Sequence, residues 1–269
     1  MPRRLSLDLV NLKVGKSRAN TDLALFSLPG DEIHVWRAAL DQPSLVMDTL
    51  ERTLSGDERA RATRLIFERD RRFFIACRGI LRSLLGAYLH VDPKEVAFRY
   101  GTHGKPFLME QFSEDNITFN LSHADGLALI AITRKRQLGI DIECVRPIPE
   151  AATIARQFFS PAENTAIQSL PPDDQITAFY HCWTRKEAWL KAMGSGFSNA
   201  LDTFDVSVGP GEPAALLSVR GSPDEPAHWA LQTLTPAPGF VSTVAVEGHD
   251  WRLMSYEWTA LDMPGSFAR

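Results

Sequence analysis

The sequence predicts an α+β protein built as two similar lobes with pseudo-twofold symmetry, each with helices packed on a small antiparallel sheet. Three observations predict it. The order strand, helices, strands occurs once in each half, although no fixed-period repeat is visible. "LALIAIT" (127–133) and "LGIDIEC" (138–144), separated by the charged turn "RKRQ", read as an antiparallel hairpin where the halves join. At 269 residues with 44% hydrophobic and 23% charged residues, the chain carries enough apolar material for one large core or two half-sized ones.

Residues 1–30 have weak periodicity and end in Pro29-Gly30, as expected of a loosely attached extension. "EIHVWRA" (32–38) alternates like a strand. From Asp57 to His90, Phe73, Phe74, Cys77, Ile80, Leu81, Leu84 and Leu85 return at three- and four-residue intervals, which predicts helices with arginines over much of the other side. The strand "VAFRY" (96–100), the turn "GTHGKP" and the strand "ITFNLS" (117–122) follow. Asn116-Ile117-Thr118 is formally a glycosylation sequon and reads as the start of that strand. In the second half, "SPAE" (160–163) is a capping box with Pro161 at the first helical position. A longer helix runs from the prolines at 171 and 172 to Met193, with Gly194 and Gly196 to stop it. Segments 203–208, 227–234, 240–247 and 251–258 alternate as strands, and the tail after Met263 is expected to fray. The organisation expected is an extension (1–30), an N-terminal lobe (31–130), a C-terminal lobe (131–262) and a tail (263–269).

A formal charge of -4 and a pI near 6.0 supply no global basic field for nucleic acid or an anionic membrane, so any anion site must be local. Cys77, Cys144 and Cys182 are odd in number and lack a CxxC, which suits a reducing compartment and argues against zinc. No signal-peptide core follows Arg3 and Arg4, and no apolar run reaches membrane-spanning length. The expectation is a cytoplasmic enzyme.

Three constellations could carry chemistry. In a strand, residues two apart share a face, so Asp141 and Glu143 stand side by side while Ile140 and Ile142 point to the core. Two such carboxylates need a counter-ion, a shared proton or open solvent, and paired hard oxygens favour Mg²⁺; an ordinary solvated strand face is the alternative. In "FYHCWTRKEAWLKAMGSGF" (179–197), Lys186 falls inside the apolar arc, either snorkelling or aimed at an anion. Glu187 and Lys191, four apart, are either an acid and base pair or a routine helix salt bridge. Lys105 in a Gly-Pro turn, and Ser122 and His123 at a strand end, sit where side chains reach into a cleft. The arginines between 59 and 82 are either solvated helix faces or a phosphate clamp.

Together, "GKPFL", "FNLSH", "LGIDIECVRP" and "WTRKEAWLKAMGSGF", in that order and covering about residues 57–200, resemble the 4'-phosphopantetheinyl transferases of the long, surfactin-synthetase-associated type. The resemblance implies transfer of the phosphopantetheine arm of coenzyme A to a serine of an apo acyl or peptidyl carrier protein, with release of adenosine 3',5'-bisphosphate. It implies Mg²⁺, with Mn²⁺ as a substitute, held by Asp141, Glu143 and Glu187. Coenzyme A contacts carry over to Lys105, Ser122, His123 and Lys191, and Arg61 matches a basic residue that binds the 3'-phosphate. Some relatives have a second basic residue where Glu58 stands, leaving Arg59 or Arg64 as substitutes. Glu187, Lys191 and Asp141 are the catalytic candidates, in a cleft between lobes that a monomer would complete by itself. Two rivals stay open: another Mg²⁺-dependent phosphotransferase or nuclease, although no Walker-type loop is present, and a non-catalytic carrier-binding scaffold.

Overall fold

The computed structural model describes residues 26–102, 104–194, 201–209 and 211–260. Residues 1–25 of the expected extension, Gly196 and the tail lie outside them. Strand β1 (Glu32–Ala39) is followed by helices α1 (Ser44–Thr53), α2 (Gly56–Ala62) and α3 (Glu68–Leu89), a short pair β2 (Phe98–Tyr100) and β3 (Pro106–Leu108), then β4 (Ile117–Ala124) and β5 (Leu127–Arg134). The second half begins with β6 (Leu138–Cys144), continues with α4 (Ala151–Phe158), α5 (Pro161–Gln168) and α6 (Pro172–Met193), and ends in β7 (Phe204–Val206), β8 (Leu216–Val219), β9 (Trp229–Leu234), β10 (Phe240–Glu247) and β11 (Arg252–Glu257). The α+β class and the two helix-on-sheet lobes follow the sequence expectation. No helix among the described residues is long and apolar enough to cross a membrane.

The expected hairpin is placed differently. β5 pairs with β4 and β1, whereas β6 opens a separate sheet against β10. The reason lies in the turns: Asp125 and Gly126 both have positive φ (44° and 82°), the conformation that closes a two-residue hairpin, so "DG" joins β4 to β5. Two sheets result, ordered β11-β1-β5-β4 and β6-β10-β9. β11 joins the first sheet and runs parallel to β1, the exception to an otherwise antiparallel plan.

Each lobe has its own apolar cluster, and a third lies where they join. Trp36 and Ala38 of β1 face the helices of the first lobe, while Ile33 and Val35 meet Leu129, Ile140, Ile142 and Val244 between the sheets. β1 is therefore buried on both faces. Phe26 and Leu28, read from sequence as part of the extension, are buried in the first core, with Phe26 stacked 5.9 Å from Trp36.

Several buried polar groups in this interior are paired. His34 Nε2 donates to the Glu32 carboxylate, which can only accept, at 2.9 Å, so in the neutral ring Nδ1 accepts the Tyr88 hydroxyl proton at 2.6 Å, and the Tyr88 oxygen accepts from the Trp36 indole at 2.9 Å. Burial holds the His34 pKa below its ordinary value, as a neutral ring in this relay requires. Lys186 proves to be a buried structural cation: its ammonium pairs with Glu163 at 2.9 Å and donates to the carbonyls of Leu201 and Phe204 at 2.6 Å. Glu163 also closes the predicted capping box with Ser160.

Glu58, standing where a basic residue was considered, is 2% exposed between two guanidinium groups. It pairs with Arg78 and Arg82, each at 2.5 Å. Burial alone would raise its pKa, but the two arginines and the Ser55 backbone outweigh that and hold it low. Replacing Glu58 by Ala strands two buried cations and should cost about 3–5 kcal/mol. Urea unfolding followed by circular dichroism measures it, and a loss below about 1 kcal/mol would contradict the assigned counter-ion role.

Candidate active site

Local packing places the site. Gly139 lies where α6 crosses β6, and a Cβ there would overlap the Ala188 carbonyl oxygen and the Ala192 amide nitrogen. With glycine, the helix backbone lies directly on the strand, so Glu187 and Lys191, one turn apart, stand beside Asp141. The alternation of β6 does the rest: Ile140 and Ile142 are buried in the junction core, and Asp141 and Glu143 take the opposite face.

Lys191 does not form the helix salt bridge with Glu187 that the spacing allowed. Its ammonium reaches the Asp141 Oδ1 at 2.6 Å and the Ser122 hydroxyl oxygen at 3.0 Å, and Ser122 donates to the same Oδ1 at 2.9 Å. Two residues from two other elements, one in each lobe, thus converge on one carboxylate oxygen of β6. The other, Asp141 Oδ2, and the Glu187 Oε1 are buried without a hydrogen-bond partner among the described residues. Burial, then repulsion from Asp141 and Glu143, pushes the Glu187 pKa up to about 7, with Lys191 opposing. The Glu143 pKa is raised by burial and by Asp141.

Of these groups, Glu187 and Lys191 line a cleft of about 490 Å³, together with Arg61, Lys105 and His123 among others. Arg61 reaches it from α2, its guanidinium 5.3 Å from the centre of the Phe74 ring. Burial and the nearby Lys191 hold the His123 pKa below its ordinary value. Lys105 lines the cleft, but its ammonium donates to the carbonyls of Lys191 and Ala192, capping the C-terminal end of α6. Burial lowers its pKa to about 8.

The donor set around Asp141 is all oxygen. Among the described residues, no three His, Cys, Asp or Glu side chains form a ready cation cage. A small hard cation does not need one, because Mg²⁺ keeps several waters and takes the rest of its shell from one or two carboxylates and substrate phosphates. The orphaned oxygens of Asp141 and Glu187 fit that requirement.

Comparison with known proteins identifies the family. Residues 137–246 match the family described as the 4'-phosphopantetheinyl transferase superfamily, and residues 34–135 match 4'-phosphopantetheinyl transferase, N-terminal. Over 226 residues, 84% of this chain and 92% of the relative, it is 44% identical to the 4'-phosphopantetheinyl transferase HetI of Nostoc sp.. The chain belongs to the 4'-phosphopantetheinyl transferase superfamily. The transferase Sfp of Bacillus subtilis is 27% identical over 76% of this chain and 88% of its own length. Among solved structures, the Thermotoga maritima holo-[acyl-carrier-protein] synthase aligns with 41% of this chain and 62% of its own, at 17% identity and a TM-score of 0.31.

In this phosphopantetheinyl transferase two further polar side chains line the cleft. Arg78 reaches it from α3 while held by Glu58, and donates to the Tyr100 hydroxyl at 3.2 Å. Asn120 reaches it from β4. Neither was singled out from sequence, where Arg78 was one arginine among many and Asn120 a strand residue. Arg59, one of the expected substitutes for a lost basic residue, instead donates to the Leu54 carbonyl at 2.5 Å.

A raised carboxyl pKa has a defined sign. From the ordinary value near 4.5 up to about 7 the folded transferase retains a proton on Glu187 that the unfolded chain has lost, so this group's contribution to stability falls as pH rises across that window. Removing one source of repulsion with Asp141→Asn should move the Glu187 pKa down. A carbon-13 titration of the labelled carboxyl reads it, and an unchanged or higher value would mean the two acids do not interact.

Proposed function

We propose that the chain transfers the 4'-phosphopantetheine arm of coenzyme A to the serine hydroxyl of an apo acyl or peptidyl carrier protein, releasing adenosine 3',5'-bisphosphate. The observation that carries the reading is the convergence of Lys191 with the orphaned oxygens of Asp141 and Glu187 beside a cleft that Arg61 also lines. Such a site suits a diphosphate lying along it, charged at both ends and reacting at one. Asp141 and Glu187, with Glu143 beside them, would hold Mg²⁺, or Mn²⁺ in its place. When bound, the ion supplies neutralisation of charge that develops on the diphosphate oxygens.

The chain's own residues account for the other steps. Arg61 holds the 3'-phosphate of the nucleotide, and His123 donates a hydrogen bond to a diphosphate oxygen. Glu187, with a pKa near neutrality, accepts the proton from the carrier serine as its oxygen bonds to the pantetheine phosphorus. The bond from that phosphorus to the leaving phosphate breaks, and Lys191 stabilises or protonates the departing oxygen. Lys105, seated on the end of α6, steadies Lys191 from behind and faces the same cleft. Both lobes come from one chain, so a monomer suffices.

Incubating the protein with coenzyme A, Mg²⁺ and a panel of apo carrier proteins should give each accepted carrier the mass gain of one phosphopantetheine arm. No gain on any carrier rejects the reading, and the absence of metal-dependent coenzyme A binding as well favours the scaffold alternative.

Lys191→Ala should lower kcat by about 100-fold, as loss of a single transition-state donor does, while weakening coenzyme A binding much less. Equal losses in both would reduce Lys191 to a binding residue. Asp141→Ala should abolish transfer, and wild-type turnover in that variant would end its assigned role.

A further inference from the structure

The two sheets meet at edge strands β4 and β6, which form no backbone ladder with one another. Alternate amides of an edge strand point away from its paired neighbour, and when buried they need another acceptor. For Ile140 that acceptor is a side chain from the other lobe: the Asn120 Oδ1 takes its amide proton at 3.0 Å, and Asn120 is 5% exposed. The backbone donor settles which end of the amide is oxygen, because nitrogen could not accept there.

The next residue along β6 is Asp141. Two residues beyond Asn120, on the same face of β4, Ser122 donates to the Asp141 carboxylate at 2.9 Å. One strand therefore grips two successive residues of the other, the first by its backbone and the second by its carboxylate. Both strands belong to different sheets, and the opposite edge of β6 is already taken by β10. Among the described residues, these are the hydrogen bonds that tie β4 to β6.

We infer that Asn120 is a positioning residue for the transfer. By holding the Ile140 amide it sets the depth of β6 against β4, and so keeps the Asp141 carboxylate under Ser122 and Lys191. Without it the hydrogen bonding from β4 to β6 falls on the carboxylate alone, which must then serve as tether and reacting group together. The inference rests on the proposed reaction for its kinetic consequence, and on the hydrogen bond for its structural one.

Asn120→Ala and Asn120→Asp separate the two. Asp keeps an oxygen for the Ile140 amide at the same reach, and Ala does not. Hydrogen exchange should show the Ile140 amide at least about tenfold faster in the Ala variant and still protected in the Asp variant. At saturating coenzyme A and carrier, with sites counted by coenzyme A binding, Asn120→Ala should lower kcat per site by about 30- to 100-fold, the scale of a catalytic group displaced by an ångström. Its Kd for coenzyme A should stay within about threefold of wild type. A residue that merely supports the fold would reduce the number of sites and leave kcat per site unchanged.

Unchanged exchange in the Ala variant, or kcat per site within about twofold, overturns the inference. If the Ala variant does not fold, the Asp variant decides: retained protection supports the role, and lost protection removes it. Wild-type protein that transfers nothing would sink the proposed reaction and leave the exchange result to judge the geometry.

Discussion

The architecture of this site depends on how closely a helix can approach a strand. Where α6 crosses β6, the helix backbone sits in the space a side chain at residue 139 would fill, and glycine is what allows it. That contact fixes the depth of α6, and with it the height of Glu187 and Lys191 relative to the acid on the strand. The junction core of Ile33, Val35, Ile140, Ile142 and Val244 then holds the second sheet against the first, bringing Ser122 and His123 to the same place. The candidate site residues come from separate lobes, yet they are arranged by one packed seam.

The treatment of charge separates scaffold from site. Glu58 is saturated by two arginines, Lys186 by a glutamate and two carbonyls, and His34 by a relay that defines its tautomer. Each costs desolvation and recovers it through complete pairing. At the cleft the pairing is left incomplete. Among the described residues, the buried carboxylate oxygens without a partner belong to Asp141 and Glu187, and buried acids with one oxygen unmatched hold unused affinity for a cation or a proton.

Much of this was legible in the sequence because periodicity and turn chemistry are local. The alternation around Asp141, the helical spacing of Glu187 and Lys191 and the Ser160 capping box all read directly. What the sequence hid depended on partners far away in the chain. Lys191 could not be seen to choose Asp141 over Glu187, since that choice needs the Gly139 contact. Lys186 looked like an anion-binding candidate because its partner Glu163 sits on another helix. The charged turn after residue 133 suggests a hairpin of β5 with β6, whereas Asp125-Gly126 between apolar strands is the signal for the hairpin of β4 with β5. The cleft role of Arg78 was masked by the number of its neighbours, and the buried counter-ion role of Glu58 by the absence of any local clue.

The placement of β11 has a consequence for how such a chain comes into being. Residues 252–257 lie beside β1 and complete the outer edge of the sheet that the earliest described strand begins. A ribosome releases β1 long before it releases β11, so the half of the molecule that emerges first is the half whose sheet is closed last. Until then β1 presents one edge of unpaired amides and carbonyls, the kind of surface that recruits other strands. Synthesis of the second lobe is therefore a waiting period for the first, and the closing strand doubles as a cover for an adhesive edge.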